Sequence, residues 1–264
     1  VEDVIDLLKK ARYDAYAFNS KSISVKVPCY RVDIMHSIDV IEDVAIMYGY
    51  NNIKPRWPQL VTFGDINSLE LFSDSAREIM IGFGFQETLS FSMSNLKNLF
   101  SKMNLEEEKA VEIMNPMSER FACLRSWLLP SLMEFLSNNT HVDYPQKIFE
   151  VGECTVFDQA SRTGINNLKK LACLSIHSTA SFSEIKAVLD ALLLSYGITC
   201  DLKGASHGTF IEGRMGVASV SGREIGFVGE INPEVLEKWK LENPVAGFEV
   251  NLSELSILSA SSKG

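Results

Sequence analysis

The sequence predicts an α+β protein with a largely antiparallel sheet, divided into a small first domain and a larger second one. Three observations carry this reading. Amphipathic helices sit among strands without regular β-α-β alternation. The strands of the second half follow one another across short Gly-containing turns, the connection typical of antiparallel neighbours. The run NNIKPRWP at 51–58 places two prolines and turn-prone Asn between periodic stretches and marks a boundary.

The elements follow in order. Residues 2–11 predict a short helix with Val4, Ile5, Leu7 and Leu8 on its apolar side. ISVKVP at 23–28 alternates like a half-buried strand. A second helix is expected from about Ser37 to Tyr48, with Gly49 placed to end it. Beyond the boundary, residues 68–83 carry Leu69, Phe72, Ala76, Ile79, Met80 and Phe83 near helical spacing. That is more apolar surface than one helix needs against its own sheet, so Phe72 and its neighbours are expected to face a partner. GFGF at 82–85 stops this helix and leads into a strand at about 86–92. A helix is expected over 129–138, with Pro130 in its first turn, and strands over 147–157 and 171–177. Ser181 and Glu184 form an S-x-x-E capping box for a helix over 182–196, whose Ile185, Val188, Leu189, Leu192 and Leu193 keep the i, i+3, i+4, i+7 rhythm. Short strands are expected near 198–203, 214–220, 223–229 and 246–251, with a short helix opened by Pro233 and a frayed tail, SASSKG.

Composition narrows the class. At roughly 150 residues per domain, 264 residues suggest two domains. Apolar residues make up 46% and charged residues 22%, which excludes a disordered chain. The net charge of −9 argues against a protein that grips nucleic acid through a broad basic surface. No run of about 18 apolar residues predicts a membrane span, and no basic stretch followed by an apolar one predicts a secretory signal. The first residue is Val1 rather than Met, so a preceding segment is expected. Cys29, Cys123, Cys154, Cys173 and Cys200 are odd in number and form no C-x-x-C pair, against a zinc ribbon or a disulfide scaffold. Scattered thiols fit a reducing compartment, so the expected location is cytoplasmic.

The chemically most informative segment is RVDIMHSIDVIEDVAIMYGYNN at 31–52. Asp39, Glu42 and Asp43 stand at i, i+3, i+4 and share one helix face, and Asp33 can reach it from the entering turn. Converging carboxylates repel unless a cation or a basic partner neutralises them, and hard oxygen ligands suit Mg²⁺. An acidic first turn that complements the helix dipole on a solvated face explains the same residues. Chemistry alone leaves both readings open. Absent motifs exclude more than present ones include. No G-x-x-x-x-G-K-S/T, G-x-G-x-x-G, H-E-x-x-H or G-x-S-x-G occurs. His177 reads as a core or edge histidine, and the glycines of 204–229 read as hairpin turns.

VPCYRVDIMHSIDVIEDVAIMYGYNNI at 27–53 closely resembles a run of the β-subunit family of phenylalanine–tRNA ligases, V-P-x-Y/F-R-x-D-I leading into D-x-I-E-E/D-V-A-x-x-Y-G-Y-D/N-N-I. NPMSERFACLRSWLLPSLMEFLSNN at 115–139, KIFEVGECTVF at 147–157, GFVGEINPEVLEKWKL at 226–241 and PVAGFEVNL resemble further blocks of that family, so the likeness spans about residues 2–255. Lack of a long insertion between the blocks resembles the archaeal/eukaryotic type. The resemblance implies a winged-helix-like domain at 1–56, truncated at its N-terminal side, and a class II synthetase-like core at 57–264 that is a catalytically silent copy. It implies an α2β2 heterotetramer in which the α subunit handles ATP and phenylalanine, with tRNA(Phe) as substrate of the complex. It also implies a Mg²⁺ site shared with the α subunit, its ligands falling on Asp33, Asp39, Glu42 and Asp43. Many members carry Glu-Glu where this chain has Glu42–Asp43, one methylene shorter at the second position. The silent core agrees with the residues: the only Glu-Arg pair, Glu119–Arg120, lies outside any glycine context, and no G-x-G-x-E-R run is present. Arg120 and Arg125 read as strand-end and interface residues. The family's editing domain lies upstream of the matching region.

Two other classes compete. One is a class II-like interaction module without a role in tRNA charging. The other is a nucleic-acid-binding protein acting through its winged-helix-like domain. Residues 1–56 set eight basic residues against eight acidic ones, a poor phosphate-binding surface.

Overall fold

The computed structural model describes residues 1–59 and 63–261. The chain divides into two compact units, Val1–Gly64 and Asp65–Gly264. The first contains α1 (Glu2–Lys10), β1 (Asp14–Asn19), β2 (Ser22–Lys26) and α2 (Ser37–Tyr48), followed by a 3-10 turn at Tyr50–Asn52. β1 and β2 form an antiparallel hairpin that pairs Asp14 with Lys26 and Ala17 with Ile23. β1 has no counterpart in the sequence reading. Its alternation is inverted: Ala15 is buried while Tyr16 and Phe18 face outward, so the large residues mark the wrong side. Leu8, Tyr13 and Ala15 make the small core, with Ile23, Val25, Ile34, Val40 and Val44 packed around them.

Local chemistry sets the ends of α2. His36 Nδ1 accepts from Ile38 N at 3.2 Å and the Asp39 carboxylate accepts from His36 N at 2.8 Å, a reciprocal cap. Gly49 closes the helix at φ 91°, a conformation side-chain-bearing residues avoid.

The second unit contains α3 (Ser68–Gly82), β3 (Gln86–Glu87), β4 (Met93–Ser94), α4 (Leu96–Leu99), β5 (Cys123–Leu124), α5 (Leu129–Asn138), β6 (Gln146–Phe157), β7 (Ile165–Ile176), α6 (Phe182–Ser195), β8 (Asp201–Gly204), β9 (Phe210–Val220), β10 (Arg223–Ile231), α7 (Pro233–Trp239), β11 (Val245–Asn251) and α8 (Leu252–Ser261). Among the described residues its main sheet has seven strands in the order β3-β6-β7-β11-β10-β9-β8. Every pairing is antiparallel except the short parallel β3–β6 contact. This is the α+β architecture with a mostly antiparallel sheet that the sequence predicts.

Each sheet face carries its own core. Leu129, Leu132, Met133 and Leu136 of α5 and Val235 and Trp239 of α7 bury Ile148, Ala172 and Leu174 on one face. Ala76 and Met80 of α3, Ile185, Leu189 and Leu192 of α6, and Leu252 and Leu255 of α8 bury Phe149, Leu171, Cys173 and Phe248 on the other. With both faces covered, the stretches Val245–Val250 of β11 and Leu171–Ile176 of β7 are buried throughout.

Three details differ from expectation. Of the strand expected at about 86–92 only Gln86–Glu87 forms one, β3, and β4 begins beyond it at Met93 and joins a different sheet. The cap of α6 is made on one side: Ser181 Oγ accepts from Glu184 N at 3.4 Å, whereas the Glu184 carboxylate turns to Lys147 and His177. Residues 252–261, which overlap the expected frayed tail SASSKG at 259–264, form α8, whose buried Leu252 and Leu255 hold it to the sheet. The last three residues of the expected tail, 262–264, lie outside the described residues.

Candidate functional site

The first site lies where β2 leads toward α2. Arg31 Nε contacts both oxygens of Asp33 at 2.9 and 3.1 Å, and Nη2 reaches Asp33 Oδ2 at 2.7 Å, a forked pair. Nη1 of the same guanidinium reaches Asp43 Oδ2 at 2.8 Å. The Tyr13 hydroxyl donates to that Asp43 oxygen, and the guanidinium lies 5.6 Å from the Tyr13 ring centre.

Electrostatics follow from this pairing. The Arg31 hydrogen bonds hold Asp33 below the ordinary 3.8. The Tyr13 hydrogen bond, then Arg31, hold Asp43 below it as well. Burial and the Asp43 hydrogen bond push Tyr13 up to about 12. Carboxyls held below their ordinary value lend stability that is complete above it and is lost as pH falls through the folded value. The first unit is therefore expected to lose this contribution below about pH 4. Carboxyl-carbon chemical shifts across an acid titration check this: both residues should titrate below 3.8, and ordinary titration would refute it.

The four predicted ligands have different tasks here. Asp33 and Asp43 are brought together through Arg31. Asp39 Oδ2 accepts Met35 N at 2.9 Å and His36 N at 2.8 Å. Glu42 is exposed. Among the described residues no three His, Cys, Asp or Glu side chains are grouped to hold a metal ion. As arranged, the cluster does not fit Mg²⁺, because a guanidinium already satisfies two of its carboxylates.

The second site is a buried ionic row on the α5 face of the large sheet. Glu150 on β6 and Glu249 on β11 flank Ala172 of β7 in register. Arg125 Nη1 contacts Glu150 Oε1 at 2.7 Å and Ser90 Oγ at 2.8 Å, and Ser90 Oγ donates to Glu150 Oε2 at 2.6 Å. Lys170 Nζ meets Glu249 Oε1 at 2.8 Å. Glu249 Oε2 accepts Leu128 N and Leu129 N at 2.8 and 3.1 Å, so a carboxylate sits on the N-terminus of α5. Arg125 is thus a buried partner of Glu150 and not an interface residue, which corrects the sequence reading; Arg120 is exposed and pairs with Glu134 at 3.2 Å.

Sequence reasoning missed this row, although a signal was present. Glu150 and Glu249 interrupt apolar strands, and a charge in a strand covered on both faces needs a buried partner. Gly152 makes room for that partner: a Cβ there would lie 2.2 Å from Arg125 Nη2. Gly152→Ala is expected to displace the guanidinium and destabilise the second unit by about 1–3 kcal/mol. A urea melt checks it, and an unchanged midpoint would contradict the packing described.

The third feature is an apolar surface. Leu89 and Phe91 are 90% and 69% exposed, and Met114 and Met117 are fully open to solvent. β4 pairs with β5, Ile113 N bonds Ala122 O, and the Phe91 and Phe121 rings meet edge-on at 5.5 Å. The partner-facing role expected of Phe72 is corrected: its ring stacks on Tyr196 at 4.4 Å and packs on the core. Leu71 and Ile81 are the exposed apolar residues of α3. No helix among the described residues is long and apolar enough to cross a membrane.

The residues fit known proteins closely. The family model described as phenylalanyl tRNA synthetase beta chain CLM domain matches residues 53–252, and that described as tRNA synthetase B5 domain matches residues 1–50. A phenylalanine–tRNA ligase beta subunit of Pyrococcus furiosus is 46% identical over 254 residues, covering 96% of this chain and 46% of the relative. One of Methanocaldococcus jannaschii is 41% identical over 249 residues, covering 94% of this chain and 45% of the relative. The chain spans less than half the length of these relatives.

Proposed function

The chain belongs to the phenylalanine–tRNA ligase β-subunit family, and from that membership we propose that it is part of the non-catalytic subunit of an enzyme joining phenylalanine to tRNA(Phe) with ATP. The observation that carries the non-catalytic role is the buried ionic row. Binding a triphosphate needs cationic groups free to meet developing charge. Here Arg125 and Lys170 are committed to Glu150 and Glu249.

In this reading residues 1–56 are winged-helix-like, which the order helix, hairpin, helix supports. The core at 57–264 is class II-like, which the antiparallel sheet with helices on both faces supports. The partner is the catalytic α subunit in an α2β2 assembly in the cytoplasm, and tRNA(Phe) is engaged through the complex. The exposure of Leu89, Phe91, Met114 and Met117 supports an interface on the second unit, because large apolar side chains left in water favour association. The reading of Asp33, Asp39, Glu42 and Asp43 as Mg²⁺ ligands rests on the family likeness, since Arg31 pairs with two of these carboxylates here.

ATP–pyrophosphate exchange tests the silent core. The purified chain with phenylalanine and ATP is expected to show no exchange above background. Robust exchange would overturn the reading in favour of an active core.

A further inference from the structure

The 3-10 turn Ser101–Met103 follows α4 and packs on α7, where Trp239 Nε1 donates to Met103 Sδ at 3.3 Å. This packing gathers lysines from distant parts of the chain. Lys102 Nζ lies 3.9 Å from the centre of the buried Trp239 ring, a cation–π contact that holds a half-buried charge in place. Lys238 Nζ donates to Ser101 O at 2.9 Å and to the Asn104 side chain. Lys97 on α4 and Lys240 at the end of α7 are exposed. Burial holds Lys102 below its ordinary pKa; Glu134 opposes this, and the charges of Lys97 and Lys240 add to it. The second unit pairs most of its Lys and Arg side chains with carboxylates, yet Lys97, Lys102, Lys238 and Lys240 are in no ion pair among the described residues. Glu134 is taken by Arg120 at 3.2 Å, and Glu234 Oε2 accepts from Asn104 Nδ2 at 2.9 Å. Glu237 is the only other carboxylate on α4, the turn or α7. The chain's net charge of −9 excludes a broad basic surface, but not a local positive one of this size.

We infer that α4, the Ser101–Met103 turn and α7 form a docking surface for an RNA sugar–phosphate backbone, with Lys97, Lys102, Lys238 and Lys240 on the phosphates. This rests on the reading that the assembled enzyme handles tRNA(Phe), and it gives this chain a direct contact with that RNA. Lysine meets phosphate as a point charge and reads no base edge, so the contact positions the RNA and does not select its sequence. Two of the four cations are held in advance, Lys102 by the Trp239 ring and Lys238 by Ser101 O. Less side-chain freedom is therefore lost on binding. An acidic protein segment carries the same sign of charge, but tRNA is the polyanion that the proposed enzyme already engages.

The test measures binding of the full chain to a tRNA(Phe) transcript by fluorescence anisotropy across a salt series, in wild type and in Lys97→Gln/Lys238→Gln/Lys240→Gln. The triple change is expected to weaken binding on the order of tenfold or more at low salt and to lower the salt slope by about three. Lys109→Gln/Arg162→Gln/Lys203→Gln removes the same charge from other exposed cations of the unit and should leave affinity nearly unmoved. Equal weakening by the two triple variants would overturn the inference. So would polyglutamate binding as tightly as tRNA at matched charge, which would assign the surface to an acidic protein. No saturable binding by the wild type at low salt would overturn this contact, while the subunit reading stands or falls separately on association with the α subunit. Should the first triple variant lose its fold by circular dichroism, lysine acetylation of the wild type with and without tRNA decides. Protection of Lys97, Lys238 and Lys240 by tRNA supports the inference, and unchanged acetylation at saturating tRNA overturns it.

Discussion

Replacing Arg125 by Met is expected to destabilise the second unit by about 3–5 kcal/mol, because removing one partner leaves a buried charge uncompensated. Glu150 is 0% exposed and Arg125 3% exposed, so water cannot take the lost partner's place. Ser90 would still donate to Glu150, but one neutral hydroxyl replaces a charge-assisted bond only in part. Arg125 Nε also donates to Glu153 O at 2.9 Å, so the same change frees a backbone acceptor on β6. The control is Arg125→Met combined with Glu150→Leu, which removes both charges and should recover most of the loss. Urea unfolding followed by circular dichroism measures both. A single variant costing less than about 1 kcal/mol would show that the row is dispensable.

The second large effect concerns association. Phe91→Glu with Leu89→Glu is expected to weaken binding to the catalytic α subunit about 100-fold, since central aromatic anchors carry most interface energy. Both side chains are exposed in the chain alone, so the charges stay solvated there and the melting temperature should hardly move. Phe72→Glu is the contrasting change. Its ring packs on Tyr196 and the core, so this variant should lower stability whatever it does to association. Unchanged binding by the double variant, with the fold intact, would move the interface elsewhere on the molecule.

How much was legible in the sequence depended on whether a signal was local. The helices over Ser37–Tyr48, Leu129–Asn138 and Phe182–Ser195 announced themselves through caps, Pro130 and apolar spacing within a few residues. β1 did not, because its aromatic residues face outward and only Ala15 is buried. α8 did not, because its apolar residues run almost all round the helix and show no stripe. At the carboxylate cluster the residue types were legible and their partner was not. Asp39 and Asp43 share a helix, yet Arg31 arrives from outside it and takes up Asp43 along with Asp33. The buried row is the same case at longer range: Leu128 N and Glu249 Oε2 are 121 residues apart in sequence, a pairing no window reveals.

A non-catalytic chain of this family should need a catalytic α subunit to complete it. Sedimentation velocity of the chain mixed with the α subunit of the same enzyme tests it most directly. The expected result is a heteromeric boundary larger than either component, lost when Leu89 and Phe91 carry charges. Two boundaries that each sediment as the free component, at concentrations well above micromolar, would contradict it.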